Sequence, residues 1–288
     1  MNSITWLLPT LIALFAYGIG QGLVKKNIGD VSPARFCLYF VVAKALVNLG
    51  YFLSTEHPAV LSHESRNFML MGIFSYILDG AAWILYFQSI VKGPITIVGT
   101  LSAAYPAITV LLARIFLNEA LTENQYIGIA AVIGGCILLS YSPAGSDDKI
   151  ISKSWIPLAA TALLVWGISQ TLIKHAYTFE NANEGNLALC NTIGGFLTLG
   201  IYGWFRGRQG NHSLGEWKRS FFPMALMALG DLGVLIAVKT GPVSIVIPVS
   251  GAYPVVTLGF AWFVLKERIL PLHWIAIFLV VGGIYLAG

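Results

Sequence analysis

Charged residues are scarce in this chain, and their scarcity excludes a soluble globular protein. Only 10% of the 288 residues are Asp, Glu, Lys or Arg, whereas 57% are hydrophobic. A soluble domain carries about 25% charged residues, because charged side chains cover much of its surface. The formal net charge of +4 is small. Since no basic run accompanies it, we expect no nucleic-acid partner.

Cysteines and catalytic motifs are equally sparse. Cys37, Cys136 and Cys190 lie in apolar stretches without CxxC or histidine spacing, so we interpret them as packing residues. The sequence contains no phosphate-binding loop and no HExxH or GxSxG motif. These absences predict a protein that is not an enzyme and that uses no metal or cofactor.

Long apolar segments are what the chain has instead. A helix that crosses a bilayer needs about 20 mostly apolar residues. The segments that satisfy this requirement are 4–24, 34–53, 68–91, 94–117, 122–141, 155–177, 185–205, 220–240, 243–265 and 270–288. We therefore predict an all-α membrane protein with ten transmembrane helices. The first segment lacks the features of a cleavable signal, so we count it as a transmembrane helix.

The second half of the sequence repeats the first. Residues 93–135 and 241–283 align without gaps at an offset of 148, with 17 of 43 positions identical. At an offset of 149, GIGQGLVKK (18–26) matches GISQTLIKH (167–175). Each half holds five predicted spans, and an odd number of spans reverses the direction of the second half, which predicts inverted repeats. The predicted organisation is repeat 1–141, polar linker 142–154 and repeat 155–288.

These repeated motifs resemble a known family. Each half has a GP dipeptide, a YP dipeptide in its fourth helix, a Glu just after that helix and a GG pair in its fifth. This pattern resembles the EamA-type family of the drug/metabolite transporter superfamily, over essentially the whole chain. The resemblance implies a ten-helix bundle with a central cavity that moves small metabolites, often outward.

The orientation of the termini has two conflicting predictions. The resemblance implies termini in the cytoplasm. The linkers after the odd-numbered spans carry 12 Lys and Arg residues and the other side carries 4, which predicts termini outside the cell.

Three charged residues lie inside the predicted spans. Lys44, Asp79 and Asp231 each cost about 2.5–3.5 kcal/mol or more at the bilayer centre when unpaired. One interpretation places them at the cavity, where an aspartate binds a cationic group or a coupling proton, and Lys44 pairs with Asp79 or holds a substrate carboxylate. The alternative is a structural ion pair between helices 2 and 3, with Asp231 protonated or bonded to hydroxyls. Two carboxylates and one ammonium in a low dielectric favour protonation of one aspartate, which is a basis for proton coupling.

Matched prolines predict kinks in helices 4 and 9. Pro106 and Pro254 fall inside apolar spans, where a proline breaks the backbone hydrogen-bond pattern. Kinked helices at matching points of two halves are typical of transport sites, although the kinks alone also serve to shape a bundle. The residues next to these prolines that we predict to line the cavity are Ser102, Tyr105, Ser250 and Tyr253.

Aromatic and amide side chains add further candidates. Trp83 and Tyr86 lie on much the same helical stripe as Asp79 and are candidates for a cage around a cationic or aromatic ligand, or for simple packing. Gln21 and Gln170 occupy equivalent positions and line the cavity in one interpretation, or hydrogen-bond between helices in the other.

Two glutamates follow helices 4 and 9. Glu119 and Glu267 suit the capping of the next helix, or pairing with Arg114 or Arg268. We predict a structural or gating role for them.

Together these features predict a monomeric secondary transporter. It moves a small, amino-acid-like organic solute across a bacterial-type inner membrane by alternating access, with proton-coupled export as one mode and the direction of flux left open. The alternatives are efflux of drugs or cationic compounds and, in another class, a non-transporting membrane scaffold or receptor subunit.

Overall fold

The described part of the protein is helical. A computed structural model describes residues 5–27, 31–55, 62, 65–92, 98, 104–140, 154–208, 213–264, 266 and 270–287, and no strand occurs among them. The helices are α1 (Leu7–Asn27), α2 (Pro33–Ser54), α3 (Arg66–Lys92), α4 (Tyr105–Phe116), α5 (Glu123–Ser140), α6 (Trp155–Ala176), α7 (Glu184–Gly207), α8 (Leu214–Thr240), α9 (Val243–Val264) and α10 (Pro271–Ala287).

Seven of the described helices are long and apolar enough to cross a membrane, by length and composition. They are α1, α2, α3, α6, α7, α8 and α9. The helices α4, α5 and α10 are apolar but shorter. The chain is therefore an all-helical membrane protein, and the full count of ten spans stays a prediction.

Local capping sets where several helices begin. The Ser213 hydroxyl accepts a hydrogen bond from the Glu216 amide, so α8 begins at Leu214, six residues before the predicted start at 220. Hydropathy did not predict this first turn because its residues are too polar. Asn183 caps α7 in the same way by accepting from the Asn186 amide.

The matched prolines begin helical segments instead of bending continuous helices. Pro106 lies in the first turn of α4, whose helix starts at Tyr105. In α9 the segment Val243–Gly251 ends at a turn at Ala252, and Tyr253–Val264 follows with Pro254 in its first turn. A proline is tolerated in the first turn because its missing N–H has no partner there. In α9 the predicted kink is therefore a break between two helical segments. Residues 99–103, which precede α4, lie outside the described residues.

Equivalent helices of the two halves pack against each other in antiparallel directions. A Cβ at Gly135 of α5 would meet Val280 and Ala276 of α10, and a Cβ at Gly283 of α10 would meet the carbonyl of Gly128 of α5. The pairs 135–276 and 283–128 exchange under the repeat offset of 148. Of each GG pair only the second glycine makes such a contact, because a Cβ at Gly134 or Gly282 would meet nothing within 4 Å.

Symmetric contacts also join the first helix of each half to the helix that carries the YP dipeptide in the other half. Gly18 of α1 is covered by Val256 of α9, and Gly167 of α6 is covered by Ile108 of α4. Each small residue lets a neighbouring helix approach closely, as is common between membrane helices. These contacts place α4 and α9 against the interior faces of α6 and α1.

Candidate functional site: a buried charge cluster beside an aromatic wall

Lys44 of α2 lies between the two buried aspartates. Its Nζ is 2.8 Å from Asp231 Oδ2 of α8 and 3.6 Å from Asp79 Oδ2 of α3. The Asn191 Oδ1 of α7 accepts a hydrogen bond from the same Nζ at 3.2 Å. An ammonium has three donors, and of these three oxygen atoms the Asp79 Oδ2 lies beyond hydrogen-bond distance. A substrate carboxylate therefore has to compete with two aspartates for Lys44 while this arrangement holds.

The nearer partner of Lys44 is Asp231, so the cluster joins more helices than either sequence interpretation envisaged. The pairing between helices 2 and 3 is present, but it is the longer contact. Tyr17 of α1 donates to Asp231 Oδ1 at 2.6 Å. We call Lys44, Asp79, Asp231, Asn191 and Tyr17 the charge cluster, and with both aspartates ionised it carries one net negative charge.

Close helix contacts bring these side chains together. Gly80, next to Asp79, lies so near Thr198 of α7 that an added Cβ would collide with the threonine hydroxyl. Thr198 belongs to a π-helical turn, Phe196–Gly200, and its hydroxyl donates to the Gly194 carbonyl at 2.7 Å. Such turns inside α-helices are frequent at functional sites. The turn and Gly80 together allow α3 and α7 to meet beside the cluster.

Access to the cluster differs between its members. The Lys44 side chain is 2% exposed and the Asp79 side chain is 9% exposed, whereas the Asp231 side chain is 14% exposed. Lys44 and Asp79 therefore have little surface that an organic solute could contact. Asp231 is therefore the most accessible of the three charged members.

An aromatic wall adjoins the charge cluster. It consists of Trp83 and Tyr86 of α3, Trp166 of α6 and Tyr105 of α4. The ring centroids of Trp83 and Trp166 are 5.1 Å apart, and those of Tyr105 and Trp166 are 5.8 Å apart. Phe40 links the two groups, because Trp83 contacts its ring and Lys44 Nζ lies 4.7 Å from its centroid. Trp83 is thus the ring of the wall that Phe40 joins to the cluster, and a role of Trp83 and Tyr86 in ligand binding stays a prediction.

Aromatic pairs at equivalent positions of the two halves have the same spacing. Tyr17 and Tyr253 have centroids 5.8 Å apart, the same separation as Trp166 and Tyr105 at the equivalent positions. Each pair joins the first helix of one half to the YP point of the other. The two tyrosines preceding the prolines therefore occupy matching places in the two halves.

The remaining predicted cavity residues have different surroundings. Ser250 is fully buried and donates to the Ile247 carbonyl of its own helix, so its contact is intrahelical. Gln21 is partly buried, and the buried Oε1 of Gln170 has no hydrogen-bond partner among the described residues. Ser102 and Glu267 lie outside the described residues.

Glu119 caps a helix, but not the next one in the chain. Its carboxylate accepts hydrogen bonds from the Val243 amide at 2.9 Å, the Ser244 amide at 3.0 Å and the Ser244 hydroxyl at 2.6 Å. It therefore caps α9 of the other half, where Pro242 offers no side-chain cap. The predicted pairing with Arg114 is limited to the Glu119 backbone carbonyl at 3.4 Å.

A lysine binds the C-terminal end of α8, next to the capped start of α9. Lys174 Nζ at the end of α6 donates to the Val238 carbonyl at 2.7 Å and to the Gly241 carbonyl at 2.9 Å. A cation at a helix C-terminus and an anion at a helix N-terminus both suit the helix dipole. We call Glu119 and Lys174 the corner clamp, because they bind the ends of α8 and α9 on either side of Pro242.

A separate apolar groove of about 560 Å³ lies between α1, α9 and α10. Phe15, Val256, Phe263 and Val281 are among the residues that line it. None of the predicted site residues lines this groove, and its walls carry no charged side chain. The charge cluster and the aromatic wall remain the candidate site.

Sequence reasoning missed two members of the cluster. Tyr17 precedes Gln21 by one helical turn and shares its stripe, which was the available signal. Asn191 is one of two side-chain amides in its apolar segment, and a neutral side chain there carries too small a cost to stand out.

Comparison with known proteins agrees with this architecture. An uncharacterized protein of Methanocaldococcus jannaschii is 32% identical over 136 residues, which cover 47% of this chain and 96% of that protein. That relative is thus about as long as one repeat. The "Probable 4-amino-4-deoxy-L-arabinose-phosphoundecaprenol flippase subunit ArnE" of Pseudomonas fluorescens is 38% identical over 25% of this chain and 66% of its own length.

A solved crystal structure shares the fold. It superposes with a TM-score of 0.79 at 17% identity, covering 98% of this chain and 96% of the other. The model of the EamA-like transporter family matches residues 4–141 and 153–288, which together include both halves. The chain therefore belongs to the EamA-like transporter family and is an integral, multi-pass membrane transporter.

Proposed function

We propose that the protein is a secondary transporter with ten spans in two inverted five-helix repeats, and that it works by alternating access. The antiparallel packing of α5 against α10 supports the inverted arrangement, because equivalent glycines make exchanged contacts. Two related halves around a central site are the usual architecture of such transporters. A rocking motion of one half against the other then opens the site to one side at a time.

The observation that carries this proposal is the charge cluster. Lys44 is shared by two carboxylates deep in the bundle. Burying three charges lowers stability, and a protein with only a scaffold role would gain nothing from it. When a proton binds Asp79 or Asp231, the cluster becomes neutral and the hold of Lys44 on that aspartate weakens. The two aspartates and Lys44 are thus suited to exchange a proton against a conformational change.

The solute-binding place in this proposal is the aromatic wall together with Tyr17 and Tyr253. Rings beside a net negative cluster favour a solute with an ammonium group, through cation–π contacts and charge. The unpartnered amide oxygen of Gln170 is an acceptor for such a group, and Gln21 is its counterpart in the first half. An amino-acid-like solute meets these requirements, and its carboxylate has to compete with the two aspartates for Lys44.

The moving parts are the broken helix α9 and its counterpart α4. Their YP points adjoin, since the Tyr105 hydroxyl and Pro106 are the atoms nearest a Cβ placed on Gly251. Within the corner clamp, the Glu119 carboxylate joins the N-terminal end of α9 to the first repeat. Release of this clamp is the step that frees α9 to move, which assigns Glu119 a gating role.

One observation favours a second candidate function. Because one lysine pairs with two aspartates, the cluster has a net negative charge when both aspartates are ionised, next to four aromatic rings. That combination suits an organic cation, so efflux of cationic compounds is the alternative. In either case we propose a monomer in a bacterial-type inner membrane that exports its solute in exchange for protons.

The experiment is counterflow and uptake in proteoliposomes, with a panel of amino acids and organic cations, with and without a pH gradient. The proposal predicts saturable flux of at least one solute and a faster flux with the gradient. Amino-acid flux distinguishes the main proposal from its alternative, which predicts flux of cations alone. No saturable flux for any solute would contradict both.

A further inference from the structure

Polar side chains without partners continue from the charge cluster into the interface between α2 and α7. Asn48 is 0% exposed, and neither its Nδ2 nor its Oδ1 has a hydrogen-bond partner in the described part of the chain. Asn191 is also fully buried, and its Nδ2 has no partner there, although its Oδ1 accepts from Lys44. Buried amides are almost always hydrogen-bonded, so these atoms require an explanation.

The register of the two helices places these amides at the same level. The helices α2 and α7 are antiparallel, and glycines of α7 contact successive turns of α2. The contacting pairs are Ala34 with Gly207, Leu38 with Gly203, Val41 with Gly200 and Lys44 with Gly195. One further turn of each helix brings Asn48 opposite Asn191.

The same stripe leads from Asn48 to the end of the interface. Tyr51 lies one turn beyond Asn48 on α2, and Glu184 lies two turns before Asn191 on α7. Glu184 is within electrostatic range of the Tyr51 hydroxyl. Its side chain is 23% exposed and pairs with Lys239 at 2.7 Å, so this end is open to solvent. We call the stripe from Lys44 through Asn48 and Asn191 to Glu184 the polar seam.

We propose that the polar seam holds ordered water and carries protons between Glu184 and the charge cluster. A buried water makes two to four hydrogen bonds to otherwise unpaired polar groups, and the facing amides offer both donors and acceptors. Asn191 is the junction, since it contacts Lys44 and faces Asn48. This inference rests on the proposed proton exchange at the cluster and adds a proton route separate from the solute-binding place.

Other titratable groups surround the ends of the seam from every neighbouring helix. At the cluster they are Tyr17, Asp79, Tyr76, Tyr105, Cys190 and Asp231, and near the surface they are Tyr177 and Lys239. Between these ends the described seam has the amides of Asn48 and Asn191, the Tyr51 phenol and, on α7 between Asn191 and Glu184, the buried apolar side chain of Leu187. Protons therefore need water to cross it, which makes Asn48 the residue to test.

The first measurement is the thermal stability of the purified Asn48→Leu variant in detergent. If water bridges the amides, leucine displaces that water and leaves the Asn191 Nδ2 without a hydrogen-bond partner, so the melting temperature falls. If the seam is dry, the substitution removes two unpaired polar atoms and the melting temperature rises, which would overturn the proposal. Ser220→Ala is the control, because it removes an unpartnered buried hydroxyl from α8 outside the seam.

The second measurement uses proteoliposomes and the solute that the wild-type protein transports in the panel described above. Asn48→Leu is expected to keep solute counterflow and to lose the acceleration by a pH gradient, while Asn48→Ser, which leaves room for water, retains it. Full pH-driven flux in Asn48→Leu would overturn the seam as a proton route and leave the proposed function intact. A wild-type protein without any pH-driven flux would overturn both.

Discussion

At the scale of single residues, the charge cluster is held together by one buried cation. Lys44 compensates two carboxylates that have no other cation within ion-pair distance among the described residues. Removing one partner of a buried ion pair leaves an uncompensated charge, which costs about 3–5 kcal/mol. Exposed ion pairs contribute far less, about 0–1 kcal/mol, because water screens them.

Lys44→Met is therefore expected to lower the free energy of unfolding by about 3–5 kcal/mol, and the further change Asp231→Asn to restore part of it. The measurement is thermal or denaturant unfolding in detergent. Lys239→Met is the matched control, since it breaks the more exposed pair with Glu184 and costs about 1 kcal/mol at most. Equal losses for both lysines would contradict a buried, shared ammonium.

The sequence identified the charged members of this cluster but not their pairing. Lys44, Asp79 and Asp231 stood out because charges inside apolar spans are costly. Which aspartate lies nearer to Lys44 depends on the relative depth of α2, α3 and α8, and hydropathy does not report depth. Tyr17 and Asn191 are neutral, so the same argument passed over them.

At the scale of helices, the broken helix α9 depends on a side chain from the other repeat. Its N-terminal amides at Val243 and Ser244 receive the Glu119 carboxylate, and the preceding Asn118 adopts a left-handed φ of 54°. Lys266, at the position equivalent to Asn118, has a φ of 58°. The chain thus turns in the same way before Glu119 and before Glu267, although the surroundings of Glu267 lie outside the description.

Glu119→Gln is expected to lower the free energy of unfolding by about 1–3 kcal/mol, because hydrogen bonds to a charged acceptor are stronger than those to an amide. Thermal unfolding in detergent measures it. Glu123→Gln, in the exposed first turn of α5, is the control and is expected to change little. Loss of the same size in both variants would argue against the corner clamp.

The contact between α5 and α10 gives a second test at this scale. Gly135→Ala places a methyl group 2.6 Å from the Val280 side chain, and such overpacking costs about 1–3 kcal/mol. Gly134→Ala is the control next to it, where a Cβ meets nothing within 4 Å and helix propensity favours alanine by up to about 1 kcal/mol. Unfolding measurements that rank the two variants in the opposite order would contradict the described packing.

The repeat predicted these helix contacts only in part. It indicated that the GG pairs of helices 5 and 10 are equivalent, but not that the second glycine of each pair makes the contact, because that depends on the rotation of each helix about its axis. It also predicted that Glu119 caps a helix, and the carboxylate reaches the distant α9 because the fold brings the α4–α5 connection against the α8–α9 corner.

At the scale of the whole molecule, the two halves supply equivalent walls around an asymmetric centre. Gly18 with Val256 repeats as Gly167 with Ile108, and the ring pair of Tyr17 and Tyr253 repeats as Trp166 and Tyr105. Lys44 has no charged counterpart in the second half. The repeated contacts suit the rocking of two halves, and the unrepeated charges suit the binding of one proton or one solute.

The most direct test of proton exchange at this centre compares two fluxes in the same proteoliposomes. Asp79→Asn and Asp231→Asn each remove one of the carboxylates that we propose to bind the proton but keep the size of the side chain, and Glu123→Gln is the control for loss of an exposed carboxylate. The account predicts that at least one aspartate variant loses uptake driven by a pH gradient while it retains solute exchange without a gradient. Wild-type dependence on the pH gradient in both aspartate variants would contradict it.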